Sequence, residues 1–354
     1  MAYLRALLLP FSLLYGLAIW IRNRLYDWGW MKVTAFEKPV IVVGNLAVGG
    51  TGKSPMTEYL IQLLSPHYKV ATLSRGYGRK TRGFLAVKAD DNPATSGDEP
   101  LQFKRKFPYI TVAVCESRVA GVKRLIAEGH EVILLDDAYQ HRALRPGLAI
   151  LLFDYQSVDK PKWLLPAGNY RDHFSERRRA DLMIVSKAPM FSDENKKIKL
   201  RHLLGEKRNV PVLFSAIGYR QLTPLRPHPE MPGAILEADL SVLLLSGIAN
   251  PAPLHEYIAA NTGEVVELRF SDHHSYTPAD VQNLIRRFGE IANPHKLIVT
   301  TEKDAQRLLI PSLVNLLADL PIYVIPIQVV FAPPDERLFQ QTVLTYCREA
   351  LATG

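Results

Sequence analysis

A glycine-rich octapeptide at residues 47–54 carries the clearest chemical signal in the sequence. The phosphate-binding loop pattern is glycine, four residues and then Gly-Lys-Ser or Gly-Lys-Thr; Gly52, Lys53 and Ser54 match it, and Ala47 replaces the first glycine. Glycines let backbone N–H groups converge on phosphate oxygens, and a following helix adds its positive end. We therefore predict that a nucleoside triphosphate is bound by the whole loop: Ala47, Val48, Gly49, Gly50, Thr51, Gly52, Lys53 and Ser54.

Two side chains of this loop have separate predicted roles. Lys53 would contact the β- and γ-phosphates, and the Ser54 hydroxyl would be a ligand of Mg²⁺. The alternative is a glycine-rich turn of no chemical meaning. An apolar strand predicted at 39–44 and helical spacing of apolar residues at 55–64 argue against it, because a phosphate site requires the order strand, glycine loop, helix.

Carboxylates that could hold the same metal ion follow a second apolar run. Residues 132–135 read Val-Ile-Leu-Leu, and Asp136 and Asp137 come directly after them. A buried strand that ends in aspartate places carboxylate oxygens, which Mg²⁺ prefers, at the edge of a sheet. Helix capping explains a single aspartate at a strand end equally well. The metal-binding interpretation therefore depends on pairing with the glycine loop.

Other charged groups stand at turns and strand ends. Asp98 and Glu99 follow Ser-Gly and precede proline, a pattern for which helix capping by Asp98 is the simpler interpretation. Arg75, Tyr77 and Arg118 lie just after predicted strands, at the sheet edge where α/β proteins bind ligands. A solvated basic turn is the alternative for these three residues.

A pair of histidines, His273 and His274, lies in a loop before a helix start predicted at Thr277. The sequence shows no second group of ligands with zinc spacing, so hydrogen-bonded loop histidines are the simpler interpretation. Helix capping likewise explains much of the polar run at 300–304.

The elements that must position these groups alternate between short apolar strands and helical patterns. A helix is predicted at 117–128, and further strands are predicted at 69–73, 110–114, 131–135, 148–153 and 181–185. Such alternation indicates an α/β fold with a mostly parallel sheet that is covered on both faces. The glycine loop makes this sheet a P-loop NTPase core.

Residues 211–240 differ in composition from the strand and helix patterns before them, because several prolines interrupt two possible short strands near 212–217 and 234–238. New strand and helix patterns follow, with strands predicted at 241–247, 265–270, 296–301 and 322–330. We predict a P-loop core at 31–215, a linker at 216–240 and a second, smaller α/β domain at 241–354.

The N-terminus is the least typical part of the chain. Residues 6–21 are almost wholly apolar, and Arg22 and Arg24 follow at once. We predict a membrane-interface helix within residues 1–30, with arginines and tryptophans at headgroup level. A spanning helix needs a longer run and a signal peptide needs a cleavage site. Packing on the protein's own core is the remaining alternative.

Composition bounds the classes of function. The 354 residues are 47% hydrophobic and 22% charged, typical of a globular protein with two domains. The formal net charge of +8 favours an anionic partner, which could be nucleic acid, a phosphorylated metabolite or an acidic membrane. Only two cysteines occur, so a disulfide framework is not indicated and a reducing cytosolic setting fits.

Taken in order, these motifs resemble the tetraacyldisaccharide 4'-kinases, the lipid A 4'-kinases of Gram-negative bacteria. The matching runs are VGNLAVGGTGKSP at 43–55, LSRGYGR at 73–79, SGDEP at 96–100, DDAYQHR at 136–142, LLPAG at 164–168, SDHHSYT at 271–277 and VTTEKDAQRL at 299–308. The resemblance implies that ATP, with Mg²⁺, phosphorylates the 4'-hydroxyl of a tetraacylated glucosamine disaccharide 1-phosphate. It also implies two α/β/α domains joined by a short two-stranded linker.

The resemblance further implies a role for each motif residue. Asp98 matches the family's catalytic carboxylate and His273 its partner histidine, and Asp137 is expected to assist them. The expected metal ligands are Ser54, Glu99, Asp136 and Asp137. The expected substrate contacts are Arg75, Tyr77, Arg118, Gln140, His141 and Arg171. The sequence departs from the family pattern at Ala138-Tyr139 and at 169–172, which are neighbours of the site.

The expected partners are the anionic lipid disaccharide and a membrane surface, without nucleic acid, for a monomeric protein. The expected location is the cytoplasmic face of the bacterial inner membrane, peripheral or monotopic. The alternative function is a regulatory P-loop GTPase or ATPase acting at that surface. Guanine-binding proteins place Asn-Lys-x-Asp where this chain has Ser-Lys-Ala-Pro at 186–189. Pro189 lacks the carboxylate that reads guanine, which favours ATP.

Overall fold

The computed structural model describes residues 7–189, 193–205, 210–226, 234–272 and 274–352. The chain forms two compact units. The first contains Met1–Gly218 and Gln328–Gly354, and the second contains Tyr219–Ile327. Each unit has its own β-sheet and its own buried hydrophobic clusters.

The β-strands are numbered in chain order through both units. They are β1 Val40–Asn45, β2 Val70–Ser74, β3 Leu85–Ala86, β4 Thr111–Val114, β5 Val132–Asp136, β6 Leu148–Asp154, β7 Leu182–Ser186, β8 Val212–Tyr219, β9 Thr223–Pro224, β10 Ser241–Ser246, β11 Glu264–Arg269, β12 Lys296–Thr301, β13 Ile322–Ile325 and β14 Ile327–Phe331.

The α-helices are numbered in the same way. They are α1 Leu9–Asp27, α2 Lys53–Leu64, α3 Pro93–Ser96, α4 Asp98–Lys106, α5 Arg118–Ala127, α6 Glu194–Leu204, α7 Ala252–Ala259, α8 Pro278–Gly289, α9 Glu302–Leu308, α10 Pro311–Val314 and α11 Pro333–Ala352. A 3₁₀-helix covers Phe174–Arg179.

The sheet of the first unit has nine strands in the described residues, in the order β14-β8-β7-β6-β1-β5-β2-β4-β3. At its centre β1 pairs in parallel with β5 and β6, whereas β3 pairs antiparallel with β4 at one edge. Val40 and Val42 belong to one buried cluster, and Ile41 and Val43 belong to another. Because successive side chains point to opposite faces, both faces of the sheet are covered. The predicted core with a mostly parallel sheet is confirmed.

In its described residues the second unit has a five-stranded sheet in the order β11-β10-β12-β13-β9, in which β9 alone is antiparallel to its neighbour. Leu243 and Leu245 join one buried cluster, whereas Val242 and Leu244 join another, so this sheet is also covered on both faces. The expected second, smaller α/β domain is confirmed.

The division of the chain differs from the predicted one at its C-terminal end. The single strand predicted at 322–330 is two strands, β13 and β14, which belong to different sheets. Pro326 lies between them, and proline cannot donate a hydrogen bond within a ladder. Beyond it, α11 buries Phe339 and Val343 in a cluster of the first unit. The tail of the predicted domain 241–354 therefore belongs to the first unit.

The predicted linker at 216–240 also differs from expectation. Ala234 forms an isolated bridge with Leu222 in place of the strand predicted near 234–238. Residues 227–233 lie outside the described part of the chain. The chain passes between the units at the end of β8 and again at the start of β14, and these two strands are neighbours in the nine-stranded sheet.

Helix α1 lies on the first unit through a stripe of mainly small and polar residues. Ser12, Gly16, Ile19 and Asn23 are its buried residues, and their spacing places them on one face. The exposed large apolar side chains of the helix are Phe11, Leu13, Leu14, Leu17, Trp20 and Ile21. An ordinary surface helix turns its apolar residues toward the core instead.

Among the residues that the structure describes, no helix has both the length and the apolar character needed to cross a bilayer.

Candidate active site

The glycine loop connects β1 to α2 and contains two residues with left-handed backbone. Gly49 has a φ of 108° and Gly52 a φ of 82°, values that favour glycine. The side chain of Asn45 donates to Thr51 Oγ1 at 2.7 Å, and Ser186 Oγ donates to the Thr51 carbonyl at 2.7 Å. The returning part of the loop is therefore held to the ends of β1 and β7.

The outer part of the loop remains accessible to a ligand. Residues 48–50 are exposed, and α2 begins at Lys53 with Gly52 as its N-cap. The first N–H groups of a helix have no partner within the helix, and glycine has no side chain to accept from them. The loop and the helix start can therefore donate together to an anion such as a phosphate.

The first turn of α2 faces carboxylates from two other elements. Ser54 Oγ donates to Glu99 Oε1 at 2.9 Å. Lys53 Nζ lies 3.8 Å from Asp137 Oδ1. Glu99 comes from the first turn of α4, and Asp137 directly follows β5. The glycine loop, the aspartates at the end of β5 and the Asp98-Glu99 turn thus lie side by side.

Asp136, the last residue of β5, is a buried carboxyl group that accepts from Thr57 Oγ1 at 3.2 Å. Burial, and then the negative charges of Glu99 and Asp137, raise the pKa of Asp136 to about 7, although Lys53 and Thr57 oppose the shift. The charges of Glu99 and Asp137 therefore both act against ionisation of Asp136 beside the loop. An all-oxygen group of this kind suits a hard divalent cation, whose charge would offset the repulsion.

Asp137 has a φ of 49°, which is uncommon for a residue other than glycine. Arg171 Nη1 donates to its Oδ2 at 3.0 Å, and Arg171 Nη2 donates to its Oδ1. Burial alone would raise the pKa of Asp137, but the Arg171 hydrogen bond and the charges of Lys53, Arg171 and Arg118 hold it below its ordinary value. Asp137 is therefore ionised at neutral pH.

Asn45 is a site residue that sequence analysis did not select. Besides Thr51, it contacts Arg171 Nη2 through its side-chain oxygen and Gln140 Nε2 through its carbonyl, the latter at 2.7 Å. Asn45 is fully buried. A polar residue at the end of the apolar strand β1 was the available signal, because a buried amide needs partners.

Two more predicted residues, Arg118 and His141, share the electrostatic environment of the aspartates. Arg118 is buried, and its Nη1 donates to the Cys115 carbonyl at 3.0 Å. Burial lowers the pKa of Arg118, and the charges of the two aspartates oppose this shift. Burial and the charges of Arg118 and Arg75 lower the pKa of His141, so His141 is neutral at pH 7.

Asp98 is the first residue of α4, and Gly97 occupies the N-cap position. The interpretation of Asp98 as the N-cap is therefore wrong by one residue, because Asp98 is already the first helical residue. Gly97 has a φ of 93°, and a Cβ there would lie 3.0 Å from the Tyr77 carbonyl and 3.2 Å from Gly76 Cα. The loop after β2 therefore packs directly against the turn that presents Asp98 and Glu99.

Tyr77 and His273 are two further predicted site residues. Tyr77 is 88% exposed. His273 lies outside the described residues, in the sequence of the second unit. Its neighbour His274 contacts Asp280 Oδ2 through Nε2 at 3.0 Å and stacks on Phe270, which agrees with a hydrogen-bonded loop histidine.

Comparisons with known proteins agree with this geometry. The model of the tetraacyldisaccharide-1-P 4'-kinase family matches residues 4–348. The tetraacyldisaccharide 4'-kinase of Bacteroides thetaiotaomicron is 40% identical over 97% of this chain and 93% of its own length, and that of Flavobacterium johnsoniae is 41% identical over 99% of each.

A solved structure gives the same result. The crystal structure of the apo form of LpxK from Aquifex aeolicus in complex with ATP superposes with a TM-score of 0.71 and 26% identity, covering 97% of this chain and 99% of that chain. The resemblance seen in the motifs is thereby confirmed over the full length of the fold. This chain belongs to the tetraacyldisaccharide-1-P 4'-kinase family.

Proposed function

We propose that this chain transfers the γ-phosphoryl group of ATP to the 4'-hydroxyl of a tetraacylated glucosamine disaccharide 1-phosphate in lipid A biosynthesis. The reaction class follows from the family. The observation that supports it best in this chain is the convergence of the open glycine loop with carboxylates of β5 and α4, seen in the Ser54–Glu99 contact at 2.9 Å. Phosphoryl transfer needs such positioning and charge neutralisation more than covalent chemistry by the protein.

In the proposed reaction the 4'-hydroxyl oxygen bonds to the γ-phosphorus, the bond from that phosphorus to the bridging oxygen breaks, and ADP leaves. Loop amides hold the phosphates. Lys53 leaves its contact with Asp137 and binds the β- and γ-phosphates instead. Asp98 accepts the proton of the hydroxyl as general base. His273 is proposed as its partner from the family resemblance.

The residues present fit Mg²⁺ as the metal. The proposed ligands are Ser54, Glu99, Asp136 and Asp137. The raised pKa of Asp136 supports this assignment, because burial and then the negative charges of Glu99 and Asp137 raise it, and a cation would offset those charges. When bound there, Mg²⁺ would neutralise charge on the β- and γ-phosphate oxygens. Arg171 meanwhile orients Asp137.

The remaining predicted residues are proposed to contact the sugar or its phosphates. Arg75 and Arg118 supply positive charge, and neutral His141 can donate one hydrogen bond and accept another. The full proposed set is Arg75, Tyr77, Arg118, Gln140, His141 and Arg171.

The outer face of α1 is proposed to lie in the membrane interface, where the acylated substrate resides. Leu13 is 74% exposed and Leu14 66% exposed, whereas the buried face of the helix is mainly small and polar. Large apolar residues at such exposure favour partial burial in lipid, and the net charge of +8 favours an anionic surface. We propose peripheral attachment of a monomer to the cytoplasmic face of the inner membrane.

The function can be tested with labelled ATP, Mg²⁺ and the lipid disaccharide 1-phosphate, followed by separation of the lipid products. We expect label at the 4'-position and ATP turnover that depends on the lipid. ATP or GTP hydrolysis of equal rate without the lipid would contradict the kinase and favour a regulatory P-loop protein.

A further inference from the structure

A ten-residue segment of the first unit, residues 164–173, lies between α1 and the glycine loop. We call it the strap. Its sequence is Leu-Leu-Pro-Ala-Gly-Asn-Tyr-Arg-Asp-His. It contacts the helix on one side and the loop on the other, so it connects the proposed lipid-facing element to the proposed nucleotide site.

The N-terminal half of α1 binds the strap through two hydroxyl groups. Ser12 Oγ donates to the Leu164 carbonyl at 3.0 Å and accepts from the Ala167 N–H at 2.9 Å. Tyr15 Oη donates to the Arg171 carbonyl at 3.1 Å. Three backbone groups of the strap are therefore satisfied by side chains of the helix, and two of them by the same buried serine.

The middle and C-terminal parts of α1 hold the end of the strap. His173 Nε2 lies 2.9 Å from the Gly16 carbonyl, and a Cβ at Gly16 would be 2.7 Å from Leu164 Cδ1, so the two segments are in close contact. Asn23 Nδ2 donates to Asp172 Oδ1 at 2.9 Å. Asp172 is fully buried, which makes this bond costly to lose.

The other side of the strap pairs with the glycine loop itself. Ala47 and Tyr170 form an antiparallel bridge, and the Val48 N–H donates to the Asn169 carbonyl at 2.7 Å. The strap is thus hydrogen-bonded to the first two residues of the loop through an isolated antiparallel bridge.

Arg171 extends this contact to the carboxylates. Its N–H donates to the Leu46 carbonyl at 2.9 Å, and its guanidinium binds Asn45 and Asp137. Tyr15 and Asn23 of the helix bind the carbonyl of this arginine and the side chain of the next residue. A displacement of α1 therefore acts on the residue that orients Asp137.

Internal hydrogen bonds tie the two sides of the strap to each other. The Leu165 N–H donates to the Tyr170 carbonyl at 2.9 Å, and the Gly168 N–H donates to the Leu164 carbonyl at 2.8 Å. A Cβ at Gly168 would lie 2.0 Å from the Trp163 carbonyl oxygen, so only glycine fits this turn.

We propose that Ser12, Tyr15 and Asn23 are positioning residues for the nucleotide site, acting through the strap on the glycine loop and Arg171. The proposal rests on the proposed function, because it takes the loop as the nucleotide site and the outer face of α1 as the lipid contact. In this proposal lipid on α1 favours the arrangement in which the strap holds the loop and Arg171 in place. Since coupling between two binding sites is reciprocal, lipid on α1 and nucleotide on the loop then strengthen each other's binding. A loop that is correctly placed for only part of the time binds nucleotide more weakly by that fraction.

The test measures the dissociation constant of Mg·ATP for the full chain, with and without vesicles of phosphatidylethanolamine and phosphatidylglycerol. Ser12→Ala leaves the Ala167 N–H without its partner, and Tyr15→Phe removes a single hydroxyl. We expect Kd to rise about tenfold in Ser12→Ala and about threefold in Tyr15→Phe. Tyr109→Phe, at a tyrosine that is 65% exposed, is the matched control and should leave Kd unchanged.

A second set of variants separates positioning from general destabilisation. Asn23→Asp places a carboxylate against Asp172 and should raise Kd. The double variant Asn23→Asp, Asp172→Asn restores the hydrogen bond with its partners exchanged and should recover most of the affinity. Vesicles should lower Kd several-fold in the wild type and less in Ser12→Ala, an effect that a purely structural serine would not produce.

Three outcomes decide the matter. Wild-type Kd in Ser12→Ala and Tyr15→Phe, measured well below their melting temperatures, overturns the proposal even if those temperatures fall. Equal tightening by vesicles in wild type and Ser12→Ala also overturns it. A wild-type chain that does not bind Mg·ATP contradicts the proposed function itself, which distinguishes that failure from a failure of the coupling alone.

Discussion

In each unit a buried central strand is followed by a loop at the edge of the sheet, but the two loops differ in whether their backbone donors are satisfied by the protein. Strands β1 and β10 are each six residues long and buried throughout. After β1 the loop leaves its backbone exposed at residues 48–50. After β10 the Gly247 N–H donates to Asp304 Oδ2 at 3.0 Å. The second unit thus places its own carboxylate where the first unit is proposed to hold a phosphate.

The helices that follow show the same contrast. Gly52 caps α2 and has no side chain for the first N–H groups, whereas Thr301 caps α9 and accepts from the Asp304 N–H. Asp304 is fully buried and also binds Arg307 Nη1 at 3.2 Å, so its charge is compensated inside the unit. A parallel sheet edge can therefore bind an anion where the chain leaves donors open, and it is simply structural where the chain satisfies them itself.

The largest predicted effect is on kcat and comes from removing the proposed base, Asp98, in the first unit. Asp98→Asn keeps the shape of the side chain but cannot accept the hydroxyl proton. We expect kcat to fall at least about a hundredfold, the usual minimum contribution of a general base. Turnover is measured with saturating ATP and lipid, and Mg·ATP affinity should change little. Wild-type turnover would exclude Asp98 from the mechanism.

Loss of the carboxylate at the sheet edge of the second unit should lower the stability of the protein and leave nucleotide binding unchanged. Asp304→Asn removes the charge that faces Arg307 in a buried pair. We expect the free energy of unfolding to drop by about 3 kcal/mol, the cost of leaving a buried charge without its partner. Chemical denaturation measures this drop, and Asp319→Asn, at an exposed aspartate, is the control.

The nucleotide affinity of Asp304→Asn tests whether the second unit takes part in nucleotide binding. Asp304 contacts Gly247, Thr301 and Arg307, which belong to the second unit, so the Kd of Mg·ATP should match that of the wild type. A tenfold weaker Kd in a folded Asp304→Asn chain would show that both edges serve the nucleotide.

A smaller effect is expected from the hydroxyl that links the loop to the metal ligands. Ser54→Ala removes the donor to Glu99 and one proposed Mg²⁺ ligand. We expect the Mg²⁺ concentration for half-maximal activity to rise about tenfold to a hundredfold, as for other changes close to a metal. Activity is titrated with MgCl₂ at fixed ATP. Ser65→Ala, at the other end of α2, should leave the titration unchanged.

The parts of the site that could be predicted are those whose position follows from local spacing. The glycine loop, Asp136 and Asp137 are of this kind, because a strand end or a helix start fixes each of them. The contact between Arg171 and Asn45 is different, since the two residues lie 126 positions apart. The family resemblance alone assigned Arg171 to the substrate, and its bond to Asp137 is seen only in the folded chain.

The misplaced domain boundary has a similar cause. The apolar residues at 322–330 are typical of one strand, and Pro326 was the residue that indicated two strands. Which sheet each half joins depends on long-range packing of α11, whose buried residues Phe339 and Val343 contact the first unit's core. Propensity along the chain does not contain that information.

The smallest predicted effect concerns a helix start that the second unit completes by itself. Thr277 caps α8 in a reciprocal pair with Asp280, in contrast to the open start of α2. Thr277→Ala should lower the free energy of unfolding by about 1 kcal/mol, because the Asp280 N–H loses its acceptor and the box is broken. Thr277→Ser keeps the hydroxyl and should retain most of the stability. Equal losses in the two variants would show that packing of the threonine methyl group, and not the cap, stabilises this helix start.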